Sequence, residues 1–197
     1  MLRTRPLVLV AIASALLASG AAADMIPLVD LRETAADATF KGITDSQSHS
    51  PAPFAYFNDN ASAYVPDPDP EQSGSCGADA FQVSQFLPNG ISMSGGTGGS
   101  WYAVPGNYSA LSFANFKFRL DGCHQYQYDA WLDPGDLGDS QLAVTASGTP
   151  LEYEGAPTVG EIHTTGRLPA GTYEVEGKSY IISDRETTTG PTYTILW

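Results

Sequence analysis

The stretch Tyr108-Ser-Ala-Leu-Ser-Phe-Ala-Asn-Phe-Lys-Phe-Arg-Leu120, then Asp121-Gly122, then Cys123-His-Gln-Tyr-Gln-Tyr-Asp-Ala-Trp-Leu132 decides the fold class. Phe116, Phe118 and Leu120 alternate with Lys117 and Arg119. On the second arm Tyr126, Tyr128 and Ala130 share one parity. A period of two belongs to a strand with one buried face. Asp-Gly between two such arms is a hairpin signal, because a tight turn needs positive φ at its centre. The stretch therefore reads as two long strands joined at Asp121-Gly122.

Similar runs lie on both sides. Phe81, Val83 and Gln85 alternate with Gln82, Ser84 and Phe86; Pro88-Asn89-Gly90 turns the chain, and Ile91 and Met93 continue on the return arm. Ser140 to Ala146, Leu151 to Glu154, Gly160 to Thr165 and Thr192 to Trp197 read as further strands. Thr172 to Glu176 and Lys178 to Ser183 read as a hairpin about Gly177. Gly95 to Gly99 reads as a flexible loop, Pro66 to Gly77 as an exposed insertion, and Asp30 to Asp37 as a short helix. Ten or more short strands at this spacing predict an all-β fold, an antiparallel β-sandwich of one domain. A transmembrane barrel would suit the length and the alternation of Tyr193, Ile195 and Trp197. Against it stand 14 prolines and the lack of long, continuously apolar strand faces.

The chain has 197 residues, with 9 Lys+Arg against 22 Asp+Glu, a formal charge of −13. That balance excludes binding to nucleic acid by phosphate neutralisation and disfavours anionic membranes. With 42% hydrophobic residues the chain is too apolar to be disordered throughout. Arg3 and Arg5, the apolar run Leu7 to Leu17 and Ala21-Ala22-Ala23 form a signal-peptide pattern. Residues 1–23 are expected to be removed, leaving a domain over 24–197 whose residues 24–37 form an N-terminal extension or short helix. That product has 174 residues and, without Arg3 and Arg5, a charge of −15. It is expected to be soluble and exported, either periplasmic or extracellular. An even pair of cysteines in such a compartment, Cys76 and Cys123, predicts a disulfide.

The segments Asn115-Phe-Lys-Phe-Arg-Leu-Asp-Gly122, Ser140-Gln-Leu-Ala-Val144, Leu168-Pro-Ala-Gly-Thr-Tyr-Glu-Val175 and Tyr193-Thr-Ile-Leu-Trp197 carry a resemblance. Together with Ala78-Asp-Ala-Phe-Gln-Val83, they resemble the jelly-roll-like β-sandwich of bacterial secreted proteins, including prepeptidase C-terminal domains. The resemblance spans Ala78 to Trp197. It implies a jelly-roll sandwich, a binding or accessory role and, for some such domains, calcium. It carries no catalytic residue to this chain.

Asp133-Pro-Gly-Asp136-Leu-Gly-Asp139 gathers three carboxylates in one Gly/Pro loop, a composition that suits calcium, the one cofactor expected. A solvated acidic turn is the plainer reading of the same loop. Asp67-Pro-Asp69-Pro-Glu71 is a second acidic loop, extended by its prolines. Glu152 with Glu154 and Glu174 with Glu176 are carboxylate pairs that an outward strand face also produces. His49, His124 and His163 are scattered. Trp101, Tyr102 and Trp131 are the candidate ligand residues, since exposed aromatics stack on sugars, although inter-sheet packing uses the same residue types. No nucleophile elbow, H-E-x-x-H, P-loop or dinucleotide fingerprint occurs. The expected function is a non-enzymatic binding or accessory module with an extracellular glycan or protein as partner. The alternatives are a carbohydrate-binding module and an enzyme with an unrecognised site.

Overall fold

The computed structural model describes residues 25–69, 71–133, 139–146, 149–154, 160–183 and 187–196. The proposed signal peptide lies outside them. Twelve strands form in chain order: β1 (Met25–Phe40), β2 (Ile43–His49), β3 (Phe57–Pro66), β4 (Ser75–Leu87), β5 (Gly90–Tyr102) and β6 (Asn107–Leu120). They continue with β7 (His124–Asp133), β8 (Asp139–Ala146), β9 (Thr149–Glu154), β10 (Gly160–Leu168), β11 (Gly171–Ser183) and β12 (Thr187–Leu196). Sheet A has the order β2-β1-β6-β11-β8-β9 and sheet B the order β10-β7-β12-β5-β4-β3. All the pairings are antiparallel.

The last eight strands make a jelly roll. From β5 to β12 the chain changes sheet at every step except the β8–β9 hairpin, giving β6-β11-β8-β9 opposite β5-β12-β7-β10. The first four strands widen that roll by adding β1 and β2 beside β6, and β4 and β3 beside β5. Each sheet keeps two edges, so the chain is an open sandwich and not a closed barrel. Among the described residues no helix is long and apolar enough to cross a membrane.

Several expectations are corrected, each for a packing reason. Asp30 to Asp37 belongs to β1, not to a helix: Arg32, Thr34, Ala36, Ala38 and Phe40 are buried on alternate positions. Asp121-Gly122 does turn the chain, but β6 and β7 lie in different sheets, so the turn bridges the sandwich. Gly95 to Gly99 lies within β5 because aromatic rings fill the space that side chains would take. A Cβ at Gly95 would sit 2.1 Å from Ser112 Oγ, and one at Gly99 would sit 2.3 Å from the Tyr108 ring. Gly177 is likewise buried inside the continuous strand β11, against Tyr193.

The interior consists of two apolar clusters with a polar layer between them. One cluster gathers Phe116, Phe118, Leu120, Tyr173, Val175, Met93 and Ile195; the other gathers Phe40, Val65, Ala78, Tyr108 and Ile181. The layer follows from register. Thr34, Ser112 and Ser179 are cross-strand neighbours in sheet A, and Tyr193, Gly95, Gln82 and Asp59 are cross-strand neighbours in sheet B. Ser112 Oγ and Tyr193 OH are 3.3 Å apart, and Thr97 Oγ1 and Ser179 Oγ are 2.9 Å apart. Burial pushes the Tyr193 phenol pKa well up, against the opposing hydrogen bond to Ser112. Arg32 completes the layer. Its Nε donates to Asp30 at 2.6 Å, its Nη1 reaches Ser84 Oγ at 3.2 Å, and its guanidinium lies 5.0 Å from the Phe116 ring centroid.

The expected Cys76–Cys123 disulfide is not formed; both thiols are free. Cys76 is buried beside the start of β6, with its Sγ 3.4 Å from Asn107 O, whereas Cys123 is exposed just beyond the end of that strand. The length of β6, roughly 40 Å at strand rise, separates them. A bridge needs Cα atoms within about 7 Å.

Two outcomes are expected. A thiol reagent labels Cys123 in the native protein and reaches Cys76 only on unfolding. Asp30→Ala leaves the Arg32 guanidinium buried and unpaired, and lowers stability by about 3–5 kcal/mol in a denaturant titration. Simultaneous labelling of both thiols, or an unchanged midpoint, would contradict this account of the core.

Candidate ligand-binding face

The outward positions of sheet B follow from strand parity. On β7 the buried side carries Tyr128 and Ala130, so Gln125, Gln127, Asp129, Trp131 and Asp133 face out. On β4 the buried side carries Ala78, Ala80, Gln82 and Ser84, which turns Asp79, Phe81, Val83 and Gln85 outward. The ladders place Trp131 beside Thr194, Thr194 beside Ser94, Ser94 beside Val83, and Val83 beside Asn58. One row further along run Asp133, Thr192, Gly96, Phe81 and Asn60.

The result is a shallow trough. Its floor is Thr192, Thr194, Ser94 and Gly96. Trp131, 43% exposed, stands on one side, with Phe81 (42%) and Val83 (36%) on the other. The strands that carry the walls, β7 and β4, are three spacings apart, about 14 Å, and the Phe81 ring leans inward from β4 to cover Gly96. Gly96 is required here. A Cβ at that position would lie 2.6 Å from Phe81 Cε1 and 2.7 Å from Thr192 Cγ2, so the bare backbone lets the Phe81 ring lie over β5.

A polar lane runs from Trp131 along β7 and β10. The cross-strand pairs are Trp131 with Glu161, Asp129 with His163, Gln127 with Thr165, and Gln125 with Arg167. Asp129 accepts a hydrogen bond from Gln127 Nε2 at 2.8 Å and pairs closely with His163 Nδ1. The bond to His163, followed in weight by desolvation that opposes it and by the bond to Gln127, holds the Asp129 carboxyl below its ordinary pKa.

The candidate residues from sequence divide. Trp131 lies at the centre of this face. Tyr102 is exposed and on the same side of sheet B, but eight residues along β5 from Ser94, about 26 Å away. Trp101 points inward and packs on the second apolar cluster, so Trp101, Tyr102 and Trp131 do not form one platform. Of the acidic loop, Asp133 is half-buried at the end of β7 and Asp139 opens β8 in the other sheet; Asp136 lies outside the described residues. Among the described residues no group of three or more His, Cys, Asp or Glu side chains is placed to hold a metal. The second acidic loop is tied internally. Asp67 accepts Lys41 Nζ at 2.8 Å, and that bond lowers its pKa; Asp69 Oδ2 accepts from Gln72 at 3.0 Å. Glu174 and Glu176 both accept from the Asn115 amide.

Sequence reading missed Phe81 as a surface aromatic and missed the Asp129–His163 pair. The parity of Phe81 against Ala78, Ala80 and Gln82 was available as a signal. The pairing of residues 34 apart was not.

Because the folded-state pKa of Asp129 is depressed, its contribution to stability is present above the unfolded carboxylate value near 3.8 and lost as pH falls through the folded value. Asp129→Asn should therefore lower stability at pH 6 by under about 1 kcal/mol, the site being exposed, and the gap to the parent should close below pH 4. A gap that stays constant as pH falls from 6 through the carboxylate range in thermal melts would assign the loss to packing instead. No protein-family model, curated protein or solved structure matches the chain, so its functional reading rests on the geometry of this face.

Proposed function

We propose that the chain is an exported, non-enzymatic binding module and that its ligand is a glycan held on the outer face of sheet B. One observation carries the reading: Trp131 and Phe81 stand exposed on either side of Thr192, Thr194 and Ser94, on strands joined by ladders from β7 through β12 and β5 to β4. Aromatic rings supply flat apolar area for the C–H face of a sugar. The carboxylates, amides and hydroxyls beside them, Glu161, Asp129, Gln127, Asn58 and Asn60, suit its hydroxyl groups. Jelly rolls include lectin domains, although a fold by itself carries no function. The signal-peptide pattern over residues 1–23 supports a destination where such glycans are met.

Isothermal titration against a panel of soluble neutral polysaccharides tests the reading. Trp131→Ala and Phe81→Ala each weaken binding by about tenfold, the loss of one stacked ring. Trp101→Ala lowers the melting temperature and leaves the affinity of the folded protein unchanged. Equal affinity in Trp131→Ala, or no binding across the panel, sinks the proposal. Release of reducing ends that Asp129→Asn or His163→Gln abolishes would make the protein an enzyme instead. Calcium at Asp133, Asp136 and Asp139 has its own readout: a melting temperature raised by calcium over EDTA in the parent and unmoved in Asp136→Asn.

A further inference from the structure

Arg167 is out of place in so acidic a chain. Three basic side chains of the described residues meet carboxylates, Arg32 at Asp30, Lys41 at Asp67 and Arg119 at Asp121, while Lys178 lies over the Tyr180 ring. Arg167 has no carboxylate partner among the described residues, and its cross-strand neighbour is the neutral Gln125. It lines an open cleft of about 510 Å3 together with Gln125, Tyr126, Gln127, Thr165 and Gly166. The cleft lies at the end of the polar lane, past Asp129–Leu196, the last pair of described residues in the ladder between β7 and β12. Its inner side, behind the outward Gln125, Thr165 and Arg167, is closed by Tyr126 against Gly166. A Cβ there would sit 2.7 Å from Tyr126 Cε1, so the tyrosine ring lies directly against the backbone of β10.

We propose that this cleft is a subsite for a carboxylate borne by the glycan, that is, for a uronic acid residue, with Arg167 as its charge partner. The proposal rests on the glycan reading of the face. A guanidinium offers two parallel N–H groups that match the two oxygens of a carboxylate. Thr165 and the amide of Gln125 add neutral hydrogen-bonding groups beside it and no competing anion. The volume is that of an ordinary small-ligand site. Trp131 lies six residues along β7 from Gln125, roughly 20 Å, so one oligosaccharide of several units reaches both.

The test is calorimetric titration of the full-length secreted protein with three probes of equal length: an oligouronate, its carboxyl-reduced neutral counterpart, and an O-sulfated neutral oligosaccharide. The oligouronate is expected to bind about tenfold tighter than the neutral form. Arg167→Gln removes that difference, Arg167→Lys keeps part of it, and neither moves the melting temperature, because the side chain is exposed. Trp131→Ala weakens both ligands alike. Equal affinity for the acid and reduced forms, or a preference that survives Arg167→Gln, overturns the subsite while Trp131-dependent binding keeps the platform. Uronate binding that depends on Arg167 and ignores Trp131→Ala overturns the platform and keeps the subsite. Tighter binding of the sulfated probe than of the uronate overturns the carboxylate assignment in favour of a sulfate ester.

Discussion

The buried hydrogen-bonding layer between the sheets is the constraint on which the rest of the molecule depends. Apolar contact alone tolerates sliding, whereas a hydrogen bond between Tyr193 and Ser112 or between Thr97 and Ser179 holds only in one register. A slip of one residue would turn every side chain of a strand to the other face. Tyr193 fixes β12 against β6, and the ladders pass that choice to β7 on one side and β5 on the other. Thr194, Trp131 and Ser94 face outward for that reason. Gly95 is what allows it, since any side chain there would occupy the space of Ser112 Oγ and the tyrosine hydroxyl. The outer face of sheet B is thus set from inside the core.

The class of the fold was legible because alternation is local. Phe116, Phe118 and Leu120, or Tyr126, Tyr128 and Ala130, announce a half-buried strand with no knowledge of what covers them. The pairing of those strands was not legible. Asp121-Gly122 serves equally well for a hairpin and for a crossing between sheets, and only the distant partners β11 and β12 decide between them. Glycine misled for a related reason. In Gly95 to Gly99 and at Gly177 its lack of a side chain looks like flexibility from sequence, yet at Gly95, Gly96, Gly99 and Gly177 a ring or hydroxyl from another strand takes the side-chain space. The site was half legible. Trp131 does stand exposed on the outer face, but Trp101 has the opposite parity to Tyr102, and adjacency in sequence puts neighbouring strand residues on opposite faces. The two cysteines show the limit of counting: compartment favours a bridge, and the length of β6 forbids it.

The N-terminal strands do more than widen the roll. Without β4 and β3 the face would end at the small residues of β5; with them it gains Phe81, Val83, Asn58 and Asn60. The added strands also need their own seam. Gln47 Oε1 accepts the backbone N–H of Ser62 at 2.6 Å, and Asp45 Oδ2 accepts that of Tyr64 at 2.9 Å. Side chains of β2 thereby occupy outward donors of the edge strand β3, groups that would otherwise invite another chain. The buried Arg32–Asp30 pair joins the same strands through Ser84 on β4. A buried ion pair adds little net stability, but it is costly to misplace, which makes it suited to fixing where β1 and β4 meet.

Net charge by itself opposes an acidic ligand. At −13 the protein repels anions at long range, and the lane itself carries Asp129 and Glu161. Distance resolves the conflict. At physiological ionic strength charges are screened beyond about 8 Å. Asp129 is four residues along β7 from the level of Arg167, some 13 Å, and Glu161 is farther still. A carboxylate in contact with Arg167 feels the guanidinium almost alone, while the hydroxyl groups of the same glycan meet the carboxylates and amides farther along. The gradient from Glu161 to Arg167 also gives the lane a direction. On the proposed reading, an oligosaccharide with one acidic end fits the lane in one orientation, whereas a uniformly polyanionic chain would place charge against Asp129 and Glu161, and the acidity that opposes polyanions in general would make the face selective among glycans.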